Sequence, residues 1–243
     1  MGKKYQILSR ITAFILILVF TSVIIVSPLS VKVRATNDKM SSSSGNNVIV
    51  RVVNPPYHLL ICQIADKYDI DYRLIYSIIK QESRFQSDAV SDHGATGLMQ
   101  VMPVCSSEND TDAADIDLSV PEDNIQAGIS YFASMMELFK KASPEDQIEL
   151  ALAAYNAGPA RIYDAMEVAA YMGENPLKWL PVRNALPLLS MRYYSLHQLV
   201  WKDGKPKAGY YGEYHETVSY VESVIKYYSE YKAQFHEADL ASR

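Results

Sequence analysis

Between Tyr57 and Phe235 the sequence is divided by helix start and stop signals, and the apolar residues between them recur at helical, not strand, spacing. Leu60, Ile61, Ile64, Ala65 and Tyr68 lie three and four apart, on one face of a helix. Asp71 is placed to cap the next helix, whose apolar face is Leu74, Ile75, Ile78 and Ile79. Pro121-Glu122-Asp123 opens a third, with acids in the first turn where the helix dipole favours them, and it runs through Ile129, Phe132, Met136 and Phe139. Ser143-Pro144-Glu145-Asp146 starts a fourth that continues through Ile148 to Tyr155 and stops at Gly158-Pro159. Asn175 to Pro187 is punctuated by prolines and predicts one or two short helices. Lys202 to Tyr214 reads as a Gly/Tyr-rich loop, and Thr217 to Phe235 as a final helix with Val218, Val221, Val224, Ile225 and Tyr228 inward. Strand signals are sparse and there is no internal repeat. The expected fold class is all-α with at most a very small sheet.

The chain has 243 residues, 49% hydrophobic and 21% charged, which suits one sizeable domain with a short appendage. The net charge of −5 implies no basic face and argues against nucleic acid as a partner. Lys3, Lys4 and Arg10 precede an apolar run from Ile11 to Val26, broken only by Thr12, Thr21 and Ser22. Residues 1–35 are therefore expected to be a signal peptide, cleaved after Ala35, or an N-terminal membrane anchor; the length of the apolar core favours the anchor. In either case the remainder is exported, to the periplasm or the outer face of the cytoplasmic membrane. Residues 36–56 read as a flexible linker, polar from Thr36 to Asn47, with a short β-branched run at Val48 to Val53 and an entry point at Pro55-Pro56. The catalytic domain is expected over residues 57–235, with a tail at 236–243. Cys62 and Cys105 are too few for a disulfide scaffold and read as unpaired thiols. No Cys/His cluster has metal-ligand spacing, and no metal is expected.

Glu82 ends the helix that Asp71 begins. It follows Ile75, Ile78 and Ile79 by seven, four and three residues, which puts it on the apolar face. Burial and the negative end of the helix dipole both disfavour a charged carboxylate and raise its pKa. A carboxyl group protonated near neutral pH is what a general acid for glycoside cleavage requires. Periodicity alone favours a glutamate that bends out to solvent.

The residues that follow decide between these readings. Gln81-Glu82-Ser83-Arg84-Phe85 is followed by Ser91-Asp92-His93-Gly94-Ala95-Thr96-Gly97-Leu98-Met99-Gln100-Val101-Met102-Pro103. Two further blocks are Ala151-Leu152-Ala153-Ala154-Tyr155-Asn156-Ala157-Gly158 and Glu216-Thr217-Val218-Ser219-Tyr220-Val221. In order and spacing these resemble the soluble lytic transglycosylase (SLT) domain family, over about Tyr57 to Tyr231. The middle and the stretch after Tyr163 most resemble its membrane-bound F-type members.

The resemblance implies a mainly helical, goose-type lysozyme-like fold with a saccharide groove between helical lobes. It implies a peptidoglycan lytic transglycosylase that cleaves the MurNAc-GlcNAc β-1,4 bond and leaves 1,6-anhydromuramoyl ends. Glu82 would be acid and then base, assisted by the substrate's N-acetyl group, with no cofactor. Ser91 would bond the glutamate or the sugar's acetamido group. Gln100 and the Met102 backbone would line the groove. Tyr155 and Tyr220 would place hydroxyls near Glu82, and Asn156 would help hold the site, while Ser83 looks structural. Each also has a plainer reading: turn chemistry for Ser91, wall packing for Met99 and Met102, core packing for Tyr155, a helix C-cap for Asn156.

Most glycosidases use two carboxylates; Asp88 and Asp92 are nearby but read as solvated loop residues. About fifty residues separate the second and third blocks, with Trp179 and Trp201 among them, and they either extend the groove with aromatic faces or form a packed helical insert. The rival functions are a lysozyme-like hydrolase and a noncatalytic wall-binding module. Peptidoglycan strands are the expected partner, and a cell-envelope machine that opens the wall locally is a compatible one.

Overall fold

The computed structural model describes residues 56–102 and 116–241, with side chains up to Phe235. Expectations for residues 1–55, for Cys105 and for the side chains of the 236–243 tail lie outside the described residues.

Two short helices open the domain. α1 (His58–Lys67) buries Ile61, Ile64 and Ala65. α2 (Tyr72–Glu82) starts where expected, with Asp71 Oδ1 accepting from Arg73 N at 2.9 Å, and buries every residue from Leu74 to Ile79. Arg73 and the Tyr228 hydroxyl also bond the Asp71 carboxylate, which holds its pKa below the usual range against the opposing effect of burial.

α3 (Pro121–Leu138) and α4 (Pro144–Ala157) follow, each with proline in its first turn. Ser143 caps α4 by accepting from Asp146 N. α4 is the centre of the domain. Leu150, Ala151, Leu152, Ala153 and Ala154 are all fully buried, and α3, α5, α6 and α8 all pack against α4. The alanines make this feasible, because small side chains allow several neighbours to approach one helix closely. Gly158, at φ 87°, turns the chain directly into α5 (Pro159–Tyr171).

The expected short helices after Asn175 are α6 (Trp179–Ala185) and a 3₁₀ turn, Leu186–Leu189. A second 3₁₀ turn (Met191–Tyr193), capped by Ser190 Oγ, which accepts from Arg192 N at 3.4 Å, and α7 (Tyr194–Val200), which has no side-chain cap, come next. The Gly/Tyr-rich loop is held down by Asp164, whose buried carboxylate accepts from Lys207 N at 3.1 Å and Ala208 N at 2.8 Å. α8 (Tyr214–Ala241) lies along α2. It is longer than the expected Thr217–Phe235 at both ends, because nothing from His236 to Ala241 breaks a helix.

An aromatic cluster ties α2 to α8. Tyr76 is fully buried and stacks on Phe235 at 5.9 Å between centroids, with Tyr72, Tyr231 and Phe85 around it. Several of the chain's tyrosines are thus core residues. The very small sheet reduces to bridge pairs, Val90 with Thr96 and Thr96 with Val101, and no strand occurs among the described residues.

Candidate active site

Glu82 is the last residue of α2, and the face that buries Ile75, Ile78 and Ile79 carries it inward. As a residue it is half-buried, but its carboxyl end is enclosed by protein. That burial raises the pKa to about 7, against a smaller opposite effect from one hydrogen bond. The bond comes from Tyr220 on α8, whose hydroxyl donates to Glu82 Oε1 at 2.7 Å. Tyr220 is itself buried beside Glu82, and its own pKa is driven well above the ordinary tyrosine value, so it stays a donor.

Just beyond Glu82 the backbone is fixed tightly. The Ser83 hydroxyl donates to Leu98 O at 2.8 Å, linking the helix end to the loop that follows and making Ser83 structural. Arg84 and Phe85 both adopt left-handed φ, 53° and 65°, a costly pair for residues with Cβ. The chain then folds into the compact Ser91–Met102 loop. Gln100 is left-handed too, at φ 49°. Its Nε2 donates to Ala89 O at 3.1 Å and Gly97 O at 2.9 Å, so both amide hydrogens hold the loop in shape.

The Met99 peptide is gripped from both sides. Its N–H donates to Asn124 Oδ1 at 2.9 Å, and its carbonyl accepts from the Tyr155 hydroxyl at 2.7 Å. Asn124, fully buried on α3, also donates to Thr96 O at 2.7 Å and Leu118 O at 3.1 Å. Gly97 lies over this amide at φ 78°, where a Cβ would sit 2.3 Å from Asn124 Nδ2, so no other residue fits. Sequence reasoning missed Asn124. The available signal was an uncharged polar residue sharing a helix face with Gly128, on which Met99 packs.

The expected site residues divide in two. Glu82 and Tyr220 meet directly. Tyr155 and Gln100 shape the adjoining loop, the Tyr155 hydroxyl through its bond to the Met99 carbonyl. Ser91 is occupied as a turn residue: its Oγ accepts from Ala95 N at 3.0 Å and its carbonyl from Gly94 N. Met102 is half-buried at the loop's end. Asn156, at the end of α4, accepts from the Thr217 hydroxyl at 2.7 Å, and Tyr211 donates to Thr217 at 2.6 Å. This chain fixes the start of α8 three residues before Tyr220.

Trp179 and Trp201 are both packed away, and the Trp201 indole N–H donates to Glu167. Neither offers an open aromatic face, whereas Tyr171, Tyr194 and Tyr210 of the same stretch are exposed. Asp88, Asp92 and His93 are exposed. No group of three or more His, Cys, Asp or Glu positioned for a metal occurs among the described residues. No described helix is long and apolar enough to cross a membrane. Cys62 is a free, half-buried thiol.

Comparison with known proteins agrees with this architecture. Residues 60–175 match the transglycosylase SLT domain family. The membrane-bound lytic murein transglycosylase F of Desulfosudis oleivorans is 34% identical over 176 residues, covering 72% of this chain and 36% of that protein. The protein of the same name from Cronobacter sakazakii is 39% identical over 170 residues, covering 68% and 30%. The chain therefore spans about a third of the length of these relatives. Among solved structures, the 70 kDa soluble lytic transglycosylase of Escherichia coli shares the fold at a TM-score of 0.50 and 22% identity, over 74% of this chain and 24% of that one. Through residues 60–175 the chain belongs to the transglycosylase SLT domain family.

Proposed function

We propose that the chain is a peptidoglycan lytic transglycosylase acting at the MurNAc-GlcNAc β-1,4 bond, with Glu82 as its acid and then its base. The observation that carries this reading is the enclosed Glu82 carboxyl, raised to about 7 and oriented by the Tyr220 hydroxyl. The names of its relatives, lytic murein transglycosylases, support the substrate.

In the first step the Glu82 carboxyl gives its proton to the glycosidic oxygen as the C1–O bond breaks. The substrate's N-acetyl carbonyl oxygen attacks C1 and holds the positive charge as an oxazolinium ion. This supplies what a second carboxylate supplies in most glycosidases. In the second step the Glu82 carboxylate takes the proton of the C6 hydroxyl, O6 attacks C1, and the C1 bond to the acetamido oxygen breaks. The products are a 1,6-anhydromuramoyl end and a free 4-hydroxyl. Glu82 is again protonated and no water is consumed. A carboxyl pKa close to 7 suits both steps, since neither proton transfer is then strongly uphill. Gln100 and the Met102 backbone would line the bound strand, with Ser91 at the loop's rim and Asn156 supporting the site from below. Residues 1–35 would tether the domain at the membrane, as the names of the relatives suggest.

Mass spectrometry of muropeptides released from purified peptidoglycan tests the reading. Products lighter by one water than their reducing counterparts are expected. Reducing ends would make the chain a lysozyme-type hydrolase, and the absence of products would favour a wall-binding module.

A further inference from the structure

We propose that a cleft on the outer face of α5 is a second binding site, remote from Glu82, for an N-acetylated amino sugar. Ile162, Ala165 and Val168 bury the inner face of α5. On the other side Ala160, Tyr163, Met166 and Ala170 follow one another at helical spacing and line the cleft, with Pro176 and Lys207 opposite. Its volume is about 480 Å³, within the range of pockets that take small ligands, roughly 300–1,000 Å³. Tyr163 is 40% exposed, yet its ring packs at 5.9 Å between centroids on the buried Phe139, so it is held in place. The walls are fixed as well. The buried Asp164 carboxylate accepts from Lys207 N and Ala208 N, which ties that turn down beside α5. Glu167, also in the lining, accepts from Trp201 Nε1 on one oxygen and from Lys207 Nζ on the other. A cleft built this way loses little freedom when a ligand enters.

These groups define the ligand. Lys207 is paired with Glu167, and the remaining charge in the lining, Asp164, is turned to two backbone amides. An anion would have to draw Lys207 from its partner, and a cation finds each carboxylate oxygen already bonded. A neutral ligand with its own hydroxyls fits better. A sugar ring has an apolar C–H face for the Tyr163 ring and a rim of hydroxyls for the acceptor Glu167 and the donor Lys207. Met166 and Pro176 leave an apolar corner suited to an acetamido methyl group. The choice of sugar rests on the proposed function, since both sugars of the peptidoglycan strand carry that group. The cleft and the cutting site are well separated. Phe139, under Tyr163, stands roughly 22 Å along α3 from Asn124, which grips the loop beside Glu82. Such a foothold keeps the domain on the wall while products leave, because rebinding of the cutting site is then intramolecular.

The test is a titration of the full chain with tetra-N-acetylchitotetraose, read as the rate at which a water-soluble reagent acylates Lys207, by peptide mass spectrometry. Acylation of Lys207 should slow along a saturating curve, while Lys232, exposed on α8, keeps its rate. Tyr163→Ala should move the midpoint about tenfold higher. Ala170→Tyr, at an exposed helix position, fills the cleft without removing its polar groups and should abolish the protection. Maltotetraose, which has hydroxyls but no acetamido group, should protect about tenfold more weakly. Lys207 rates that stay constant through the titration overturn the proposal, as does a midpoint that neither variant moves. Equal protection by maltotetraose overturns the amino sugar as ligand. The readout needs no catalysis. A chain that protects Lys207 but releases no muropeptides keeps this site and loses the proposed reaction, whereas one that releases them without protecting Lys207 loses this site alone.

Discussion

The Tyr220 hydroxyl donates to Glu82 Oε1 at 2.7 Å across 138 residues of sequence. One bond thus joins the end of α2 to the first turns of α8, and it acts on the proton affinity of Glu82. It favours the carboxylate, whereas burial favours the acid, and burial is the larger effect. Tyr220→Phe removes the smaller effect alone. The Glu82 pKa should then rise further, moving the alkaline fall in kcat/KM to higher pH, while the rate at the optimum drops about tenfold for want of the orienting bond. A pH–rate profile of the two proteins reads both changes.

Glu82→Gln keeps the shape of the side chain and removes its proton chemistry. Release of muropeptides should fall by roughly 10³-fold or more, with the circular dichroism spectrum unchanged. Activity near the parent's level would remove Glu82 from the mechanism.

The same substitution changes stability with a definite sign. Unfolded, Glu82 titrates near 4.5; folded, near 7. Between those values the folded state binds more protons than the unfolded one, so the parent loses stability as pH rises through that window, by about 3 kcal/mol in total. Above pH 7 the loss is complete and flat. Glu82→Gln has no such loss. Its advantage over the parent in urea unfolding should therefore be larger at pH 8 than at pH 4.5.

Asn124 makes three hydrogen bonds inside the domain, to Met99 N, Thr96 O and Leu118 O. Asn124→Ala leaves these buried groups unpaired and should cost about 3 kcal/mol of stability. Tyr155→Phe releases the Met99 carbonyl and should cost about 1 kcal/mol. Both loosen the loop that carries Gln100, and kcat should fall more than KM rises. Denaturant titration and steady-state kinetics on soluble glycan strands check the ranking.

Thr217 is the middle of the Tyr211–Thr217–Asn156 chain. Thr217→Val strands a buried tyrosine hydroxyl and an asparagine carbonyl, whereas Tyr211→Phe leaves the Thr217–Asn156 bond in place. The first should lower stability by about 2 kcal/mol and the second by about 1 kcal/mol. Thermal melts of the two variants test the order.

What could be read beforehand was local. The spacing of Ile75, Ile78, Ile79 and Glu82 places all four on one face, and the Asp71 and Ser143 caps stand where turn chemistry puts them. What could not be read depends on distant partners. Asn124 is an ordinary polar residue until the Thr96–Met99 loop descends on it. Ser91 and Tyr155 matched the family pattern, but a motif does not say which partner a hydroxyl selects, and they bond Ala95 and Met99. The two tryptophans suggested a sugar platform because composition does not report burial, and both are 6% exposed. α7 has no cap in the sequence, since His197 and its contact with Leu188 hold it in place.

α8 leaves the ribosome well after α2, and it brings Tyr220 with it. Until it docks, Glu82 has no hydroxyl to hold it, and the flank of α2 that α8 covers stays open to water. A nascent chain thus carries the acid without the setting that makes it one. Pairing of Glu82 with Tyr220 waits on the synthesis of α8, a form of timing built into chain order.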